Sequence, residues 1–280
     1  MKILLDFRPR ILYLFGMEKH AKSQENWVVI GDIHGRSSWK EIVALEPDAK
    51  GFVFVGDYFD SRDRIAGAKQ LENFLEIVAF KHHIETTTTQ QVILLFGNHD
   101  FHYMPWFTRD PYSGYLPYMA KKYQKALVNH LSSMQMSHAI GDVLMSHAGI
   151  SVTWLERFMI PAYANISWAD QSASFIASAV NDTFVQSPKS FDFNGFNPFG
   201  DDPQQSPIWI RPVALKMANY NMLHKDLIQV FGHTVSRDPQ EIFERSLNDP
   251  LGHYFHADML EKRCYLKFNG SEFQLAQFIK

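Results

Sequence analysis

Short apolar runs, each closed by a small residue and then a metal-binding side chain, recur five times along this chain of 280 residues. The first reads Val28-Val29-Ile30-Gly31-Asp32-Ile33-His34-Gly35. It returns at Phe52-Val53-Phe54-Val55-Gly56-Asp57 and at Val92-Ile93-Leu94-Leu95-Phe96-Gly97-Asn98-His99. Two more copies are Val143-Leu144-Met145-Ser146-His147 and Ile228-Gln229-Val230-Phe231-Gly232-His233. Brief runs rich in β-branched residues and Phe predict strands buried on both faces. The closing Gly or Ser predicts a tight turn where each strand leaves its sheet. Chemistry in α/β sheets gathers at the carboxyl ends of strands. Five such ends delivering Asp, Asn or His therefore predict one shared site.

Between the strands the period lengthens. Ser37 and Ser38 are positioned to cap a helix through Trp39, Ile42, Val43 and Leu45, stopped near Pro47. Leu71, Phe74, Leu75 and Val78 mark one apolar face of a second helix. Thr86 to Thr89 read as a polar connector to the third strand. Further helices are predicted over Tyr118 to Met134, Val152 to Met159 and Ile176 to Phe184. The alternation of strand and helix predicts an α/β fold with largely parallel pairing. Cys264 to Phe268, Asn269-Gly270 and Phe273 to Phe278 predict a closing antiparallel hairpin with a type I′ turn. Residues 185–207 lack usable periodicity and are rich in Asn, Gly, Pro and Phe, which predicts a pocket-flanking loop.

Because the five strand ends run from Asp32 to His233, a single domain over residues 27–280 is expected, after an N-terminal extension, 1–26. The extension holds an apolar run, Ile11 to Phe15, too short to span a bilayer and followed by no small-x-small cleavage site. The formal net charge of −3 gives no reason to expect a nucleic-acid partner. Cys264 is the only cysteine, which excludes an intramolecular disulfide and a thiolate metal cluster. With no membrane partner indicated, the expected location is the cytoplasm. Phe is abundant, at 23 residues, and much of it follows residue 100, as an aromatic surface or pocket would require.

The ligand chemistry is specific. Asp32-x-His34 places a carboxylate and an imidazole on the same side of the chain, a pair suited to a borderline divalent ion. Asp57 adds a carboxylate able to bridge two cations, and Asn98, His147 and His233 complete a second coordination sphere. Two metals about 3.5–4 Å apart can activate a bridging hydroxide for in-line attack on a phosphoryl group. His99 follows Asn98 and can face the site as the acid for the leaving group, oriented by Asp60. Arg211, or Arg62 two residues past Asp60, can bind the phosphate. His102 is a candidate for support of the site. Asp100, Arg36 and Arg109 have weaker claims, and His256-x-Asp258, which follows no glycine-terminated strand, reads as incidental. His20, His82, His83, His130, His138, His224 and His253 read as structural or solvated.

Together, Gly31-Asp32-Ile33-His34-Gly35, Gly56-Asp57-Tyr58-Phe59-Asp60, Gly97-Asn98-His99-Asp100, Ser146-His147-Ala148-Gly149 and Gly232-His233-Thr234 resemble the calcineurin-like metallophosphoesterase superfamily. Within it they are most similar to the phosphoprotein phosphatase branch and its bacterial and phage relatives. His147-Ala148-Gly149-Ile150, Trp209-Ile210-Arg211 and Phe231-Gly232-His233-Thr234 also resemble symmetric diadenosine tetraphosphatases. The resemblance spans Val28 to Val235. It implies a central β-sandwich flanked by helices, a dinuclear centre and direct hydrolysis without a phosphoenzyme. It assigns Asp32 and His34 to one metal, Asp57 to the bridge, Asn98, His147 and His233 to the other metal, His99 to the acid and Asp60 to its partner.

Three positions depart from the family pattern. Ser61 stands where an arginine usually follows the second aspartate, Val235 where nuclease-like members carry a histidine, and His256-Ala257-Asp258-Met259 where Asp-Thr-Gly is usual. The expected activity is hydrolysis of phosphomonoesters, with phosphoserine or phosphothreonine in proteins as the leading substrates. Nucleotide or dinucleoside polyphosphate hydrolysis is the alternative, and a non-catalytic metal- or phosphate-binding module the third. The implied cofactors are two divalent metal ions, manganese first, with iron, zinc or a mixed pair compatible with the oxygen and nitrogen ligands. Residues 1–16 should lie outside the functional unit. A chain starting at Met17 is expected to keep its activity on an aryl phosphate, and complete loss would refute that boundary.

Overall fold

The computed structural model describes residues 26–192, 197, 199–220, 227–250, 253–270 and 272–278. The N-terminal stretch 1–25, His224, and 193–196 and 198 of the predicted pocket-flanking loop lie outside them. All five predicted strands form: β1 Trp27–Ile30, β2 Gly51–Phe54, β3 Gln91–Leu95, β6 Val143–Ser146 and β7 Ile228–Phe231. Strands β4 Met134–Gln135, β5 Ser137–Ile140, β8 His253–His256, β9 Cys264–Phe268 and β10 Phe273–Gln277 complete two sheets. One runs β10-β9-β1-β2-β3-β4 and the other β5-β6-β7-β8. Pairing is parallel from β1 to β4 and from β6 to β8, and antiparallel where β9, β10 and β5 join.

Period-2 geometry explains why the strands are apolar throughout. Val29, Val53, Val55 and Leu95 face Val143, Met145, Val230 and Phe255 in a core between the sheets. Their neighbours Val28, Ile30, Phe52, Phe54, Val92 and Leu94 turn to the opposite face of the first sheet. There they meet helices α1 Trp39–Leu45, α2 Gly67–Thr87 and α4 Ala120–His130. On the second sheet, Leu144 shares a core with α6 Ala173–Gln186, while Phe231 and Tyr254 pack on α7 Pro212–Asn219. The result is the β-sandwich flanked by helices that the resemblance implied. The remaining α-helices among the described residues are α3 Asn98–Phe101, α5 Val152–Phe158 and α8 Pro239–Leu247.

Four local expectations need correction. Ser38 occupies the N-cap of α1, but its hydroxyl makes no capping bond and lies buried without a hydrogen-bond partner. Thr86 and Thr87 belong to α2 rather than to a connector. Their hydroxyls, with that of Thr88, donate to the carbonyls of His82, His83 and Ile84, satisfying the helix end. The inward face of α2 also differs: Phe74 and Ile77 are buried with Gln70 and Asn73, whereas Leu75 is 41% exposed. The two amides are inside because they hold the loops leaving β1 and β2. Asn73 donates to the Arg36 carbonyl and accepts from Trp39 Nε1, and Gln70 accepts from Ser61 N–H.

The hairpin is real, but its turn is not type I′. Phe268 pairs with Phe273, which leaves a four-residue connection, and Asn269 N–H bonds the Glu272 carbonyl. Gly270 alone of the Asn269-Gly270 pair has a positive φ, at 90°, whereas type I′ requires both. The hairpin extends the first sheet beside β1 and seals the inter-sheet core through Leu266, which is fully buried. Leu266→Ala should therefore destabilise the fold by about 2–5 kcal/mol, seen as a lower urea midpoint at unchanged m-value. A loss below about 1 kcal/mol would show that the hairpin is not part of this core.

Candidate metal centre

Backbone pairing continues past the sheet ends and brings the predicted residues together. His34 N–H and Gly35 N–H donate to the carbonyls of Asp57 and Tyr58, so the loops after β1 and β2 run in register. Gly232 N–H donates to the His147 carbonyl and aligns the ends of β6 and β7. The two sheets are joined where the Asp32 carboxylate accepts from His233 N–H, both oxygens lying 3.0 Å away. His99 N–H donates to Asp57 Oδ1 at 2.9 Å, tying the turn that opens α3 to the end of β2.

This convergence requires unusual backbone. Among the described residues, six non-glycines have positive φ, and four of them are His34, Asp57, Asp60 and His233. Left-handed backbone at such residues costs on the order of 1–3 kcal/mol each and tends to gather at functional sites. Two of the glycines act through close approach rather than through the turn freedom expected of them. A Cβ on Gly97 would lie 2.1 Å from Asp57 Oδ1, and one on Gly232 would lie 2.0 Å from Asp32 Oδ1. Gly56, at φ +104°, does supply the turn.

Two donor sets meet at Asp57: Asp32, His34 and Asp57 on one side, Asp57, His147 and His233 on the other. His34 Nδ1–H donates to the Phe59 carbonyl and His147 Nδ1–H to the Val55 carbonyl, each at 2.8 Å. Their Nε2 atoms therefore present lone pairs. These face the same carboxylate, at 3.6 Å from Asp57 Oδ2 for His34 and 3.4 Å from Oδ1 for His147. Lone pairs aimed at an anion repel it unless a cation stands between them. Asn98 Oδ1 lies 3.0 Å from His147 Nε2 and 2.9 Å from His233 Nδ1. The Nε2 atoms of His34 and His233 are buried and have no hydrogen bond. Buried, neutral imidazoles and carboxylates arranged in this way fit divalent cations.

The charge balance agrees. Burial lowers the imidazole pKa values of His34, to about 4, and of His147 and His233, keeping them neutral as ligands must be. Burial alone would raise Asp57, but the imidazoles around it overrule burial and hold the carboxyl well below the usual range; among them His99 is the one whose own pKa is raised, so it carries the positive charge. Asp32 is pushed up, by burial first and then by Asp258 and Asp57.

Beside this cage, His99 Nδ1 lies 2.9 Å from Asp60 Oδ2. Burial works against the imidazolium, but Asp57 and Asp60 together raise the His99 pKa. Arg211 is half-buried; its Nη1 donates to the His233 carbonyl and to Thr234 Oγ1, and its Nε to the Phe199 carbonyl. Arg62 is exposed, yet its charge acts on Asp32, His34 and His99, which places it at the rim. Arg109 pairs with Asp192 at 3.2 Å, and Arg36 is occupied by Asp63 and Glu261.

Two carboxylates hold more of this centre together than their sequence context suggests. Asp100 is fully buried and accepts the backbone N–H groups of Asp57, Tyr58 and Gly97 at 2.8–3.0 Å, fastening the β2 and β3 loops together. Its only signal was its place after Asn98-His99. Asp258 is not incidental: it follows β8, is buried, and raises the pKa of Asp32. No glycine marks the end of that strand, so the pattern that found the others passed over it. Asp100→Asn keeps the shape but leaves at least one of three N–H groups unmet. The expected cost is about 1–3 kcal/mol in thermal denaturation, and an unchanged midpoint would contradict the role drawn for this carboxylate.

Comparison with known proteins places the chain in context. A family model for calcineurin-like phosphoesterases matches residues 27–260. The cold-active protein-tyrosine phosphatase of a psychrophile, Shewanella sp., superposes with a TM-score of 0.56 at 17% identity, covering 91% of this chain and 78% of its own. A further cold-active protein tyrosine phosphatase structure gives a TM-score of 0.53 at 17% identity, covering 91% and 76%. At these identities the likeness is one of fold. A metallophosphoesterase from Sphaerobacter thermophilus is more distant, with a TM-score of 0.45 at 11% identity over 91% and 88% of the two chains. No curated protein sequence matches the chain.

Proposed function

Because this chain belongs to the calcineurin-like phosphoesterase family and is a metal-dependent phosphoester hydrolase, we propose that it is a two-metal phosphomonoesterase acting on phosphoserine and phosphothreonine in proteins. The observation that carries the two-metal reading is the Asp57 carboxylate facing lone pairs on both sides, from His34 and His147. In this reading Asp32, His34 and Asp57 hold one ion, and Asp57, Asn98, His147 and His233 hold the other. When bound, two divalent ions, manganese in the first instance, supply the Lewis acidity that activates water and neutralises phosphoryl charge.

The chain's own groups do the rest. His99 has Nδ1 engaged with Asp60, so Nε2 is the ring nitrogen free to hand a proton to the departing alkoxide. Asp60 holds that ring in place and favours its charged form. Arg211, fixed by its bonds to the His233 carbonyl and Thr234, and Arg62 at the rim supply positive charge for the phosphoryl oxygens. Residues 185–207 would border the pocket. Their described part is pinned down, Ser151 Oγ donating to the Pro203 carbonyl and Ser206 Oγ to that of Phe191.

One observation favours a second reading, hydrolysis of nucleotides or dinucleoside polyphosphates. The Tyr112 and Trp209 ring centroids lie 4.4 Å apart at an interplanar angle of 31°, and Trp209 is 5.5 Å from the His233 ring, an aromatic wall beside the centre against which a base could pack. Rates on a phosphoserine peptide, a phosphotyrosine peptide and diadenosine tetraphosphate separate these readings. A phosphoserine kcat/KM above the other two is expected, and preference for the dinucleotide would replace the first reading with the second. Asp57→Asn should bind less metal and lose at least about 100-fold in turnover of an aryl phosphate with Mn²⁺ supplied. Full activity in that variant would exclude the shared carboxylate.

A further inference from the structure

The Asp60 carboxylate makes more contacts than one imidazole requires. Tyr103 Oη donates to Asp60 Oδ1 at 2.5 Å, while Oδ2 is shared between His99 and His102. His102 Nε2 lies 2.7 Å from Oδ2, in contact with it but without the geometry of a hydrogen bond. The far sides of both residues are also occupied. Tyr103 Oη accepts from Leu116 N–H at 2.9 Å, and His102 Nδ1 accepts from Tyr112 N–H at 3.1 Å. Because Nδ1 accepts, the hydrogen of the neutral ring resides on Nε2, the atom that faces Asp60. Asp60 itself sits at φ +61°, an uncommon backbone for a non-glycine residue.

We propose that His102 and Tyr103 are positioning residues that hold Asp60, and through it His99, in the orientation needed to protonate the leaving group. They also fasten that pair to the loop carrying Tyr112 and Leu116. The inference rests on the reading of His99 as the acid. Physically, a carboxylate with one hydrogen-bonded partner can rotate about χ2, and donors on both oxygens prevent that rotation. His99 follows only if its Asp60 partner is fixed, since its Nδ1–H points at a single oxygen. The four side chains come from the end of β2 and from α3 with the turn after it, so the hydrogen bonds, not chain proximity alone, define the arrangement.

Tyr103→Phe is the sharpest probe, because it removes the hydroxyl and keeps the ring that packs on Phe59 and Tyr115. His102→Gln is the second variant. Each is assayed in the metal-loaded full-length chain on p-nitrophenyl phosphate, whose leaving group departs without a proton, and on an alkyl phosphate, whose leaving group needs one. Loss of kcat on the alkyl ester is expected to exceed the loss on the aryl ester by about tenfold, within the range over which positioned acids act. Metal content and the KM for both esters should match the parent protein. Equal losses on the two esters, or no loss on either, would overturn the proposal. His99→Gln serves as the control and must show the same discrimination at least as strongly. If it shows none, the acid assignment fails and this inference falls with it; if only the His102 and Tyr103 variants show none, the inference alone is wrong.

Discussion

A single carboxylate, Asp57, is the element on which the rest of the centre depends. It faces imidazole lone pairs from both sheets, with His34 on one side and His147 on the other. Coulomb repulsion between an anion and two lone pairs in a water-poor interior is not a resting arrangement for a protein that has only structure to maintain. Cations shared across the carboxylate convert that repulsion into attraction. The neutral state of the histidines follows from the same burial, since a desolvated imidazole gives up its proton and keeps its lone pair.

The sandwich makes this meeting possible. Each sheet alone would deliver only part of the ligand set: Asp32, His34, Asp57 and Asn98 after β1 to β3, His147 and His233 after β6 and β7. Stacking the sheets brings the two sets of strand ends together, and the Asp32 contact with His233 N–H spans the junction. The fold absorbs the cost in backbone strain at four site residues, and it uses Gly97 and Gly232 where any side chain would collide with a carboxylate. Asp100 then locks the loops, with its fully buried carboxylate accepting three backbone N–H groups.

What could be read in the sequence was whatever obeyed a short-range rule. The five strands, and the Asp, Asn and His residues behind their closing Gly or Ser, were legible because burial on both faces forces continuous apolar runs. Asp258 was not, since β8 ends without a glycine and contains two histidines. The inner face of α2 was misread because Gln70 and Asn73 are buried for hydrogen bonds to other loops, which no hydrophobic period records. The hairpin turn was misjudged because Asn269-Gly270 suits two lengths of connection, and pairing of Phe268 with Phe273 chose the longer. His102 and Tyr103 lie outside any motif; their relation to Asp60 exists only once the turn after α3 has folded against β2.

All of this reduces to whether two ions share one carboxylate. Electron paramagnetic resonance of the Mn²⁺-loaded protein reads that sharing directly, through exchange coupling between the two spins. A coupled-pair spectrum that gives way to an isolated-ion signal in Asp57→Asn is the predicted result. An uncoupled six-line spectrum from fully active, fully loaded parent protein would contradict it.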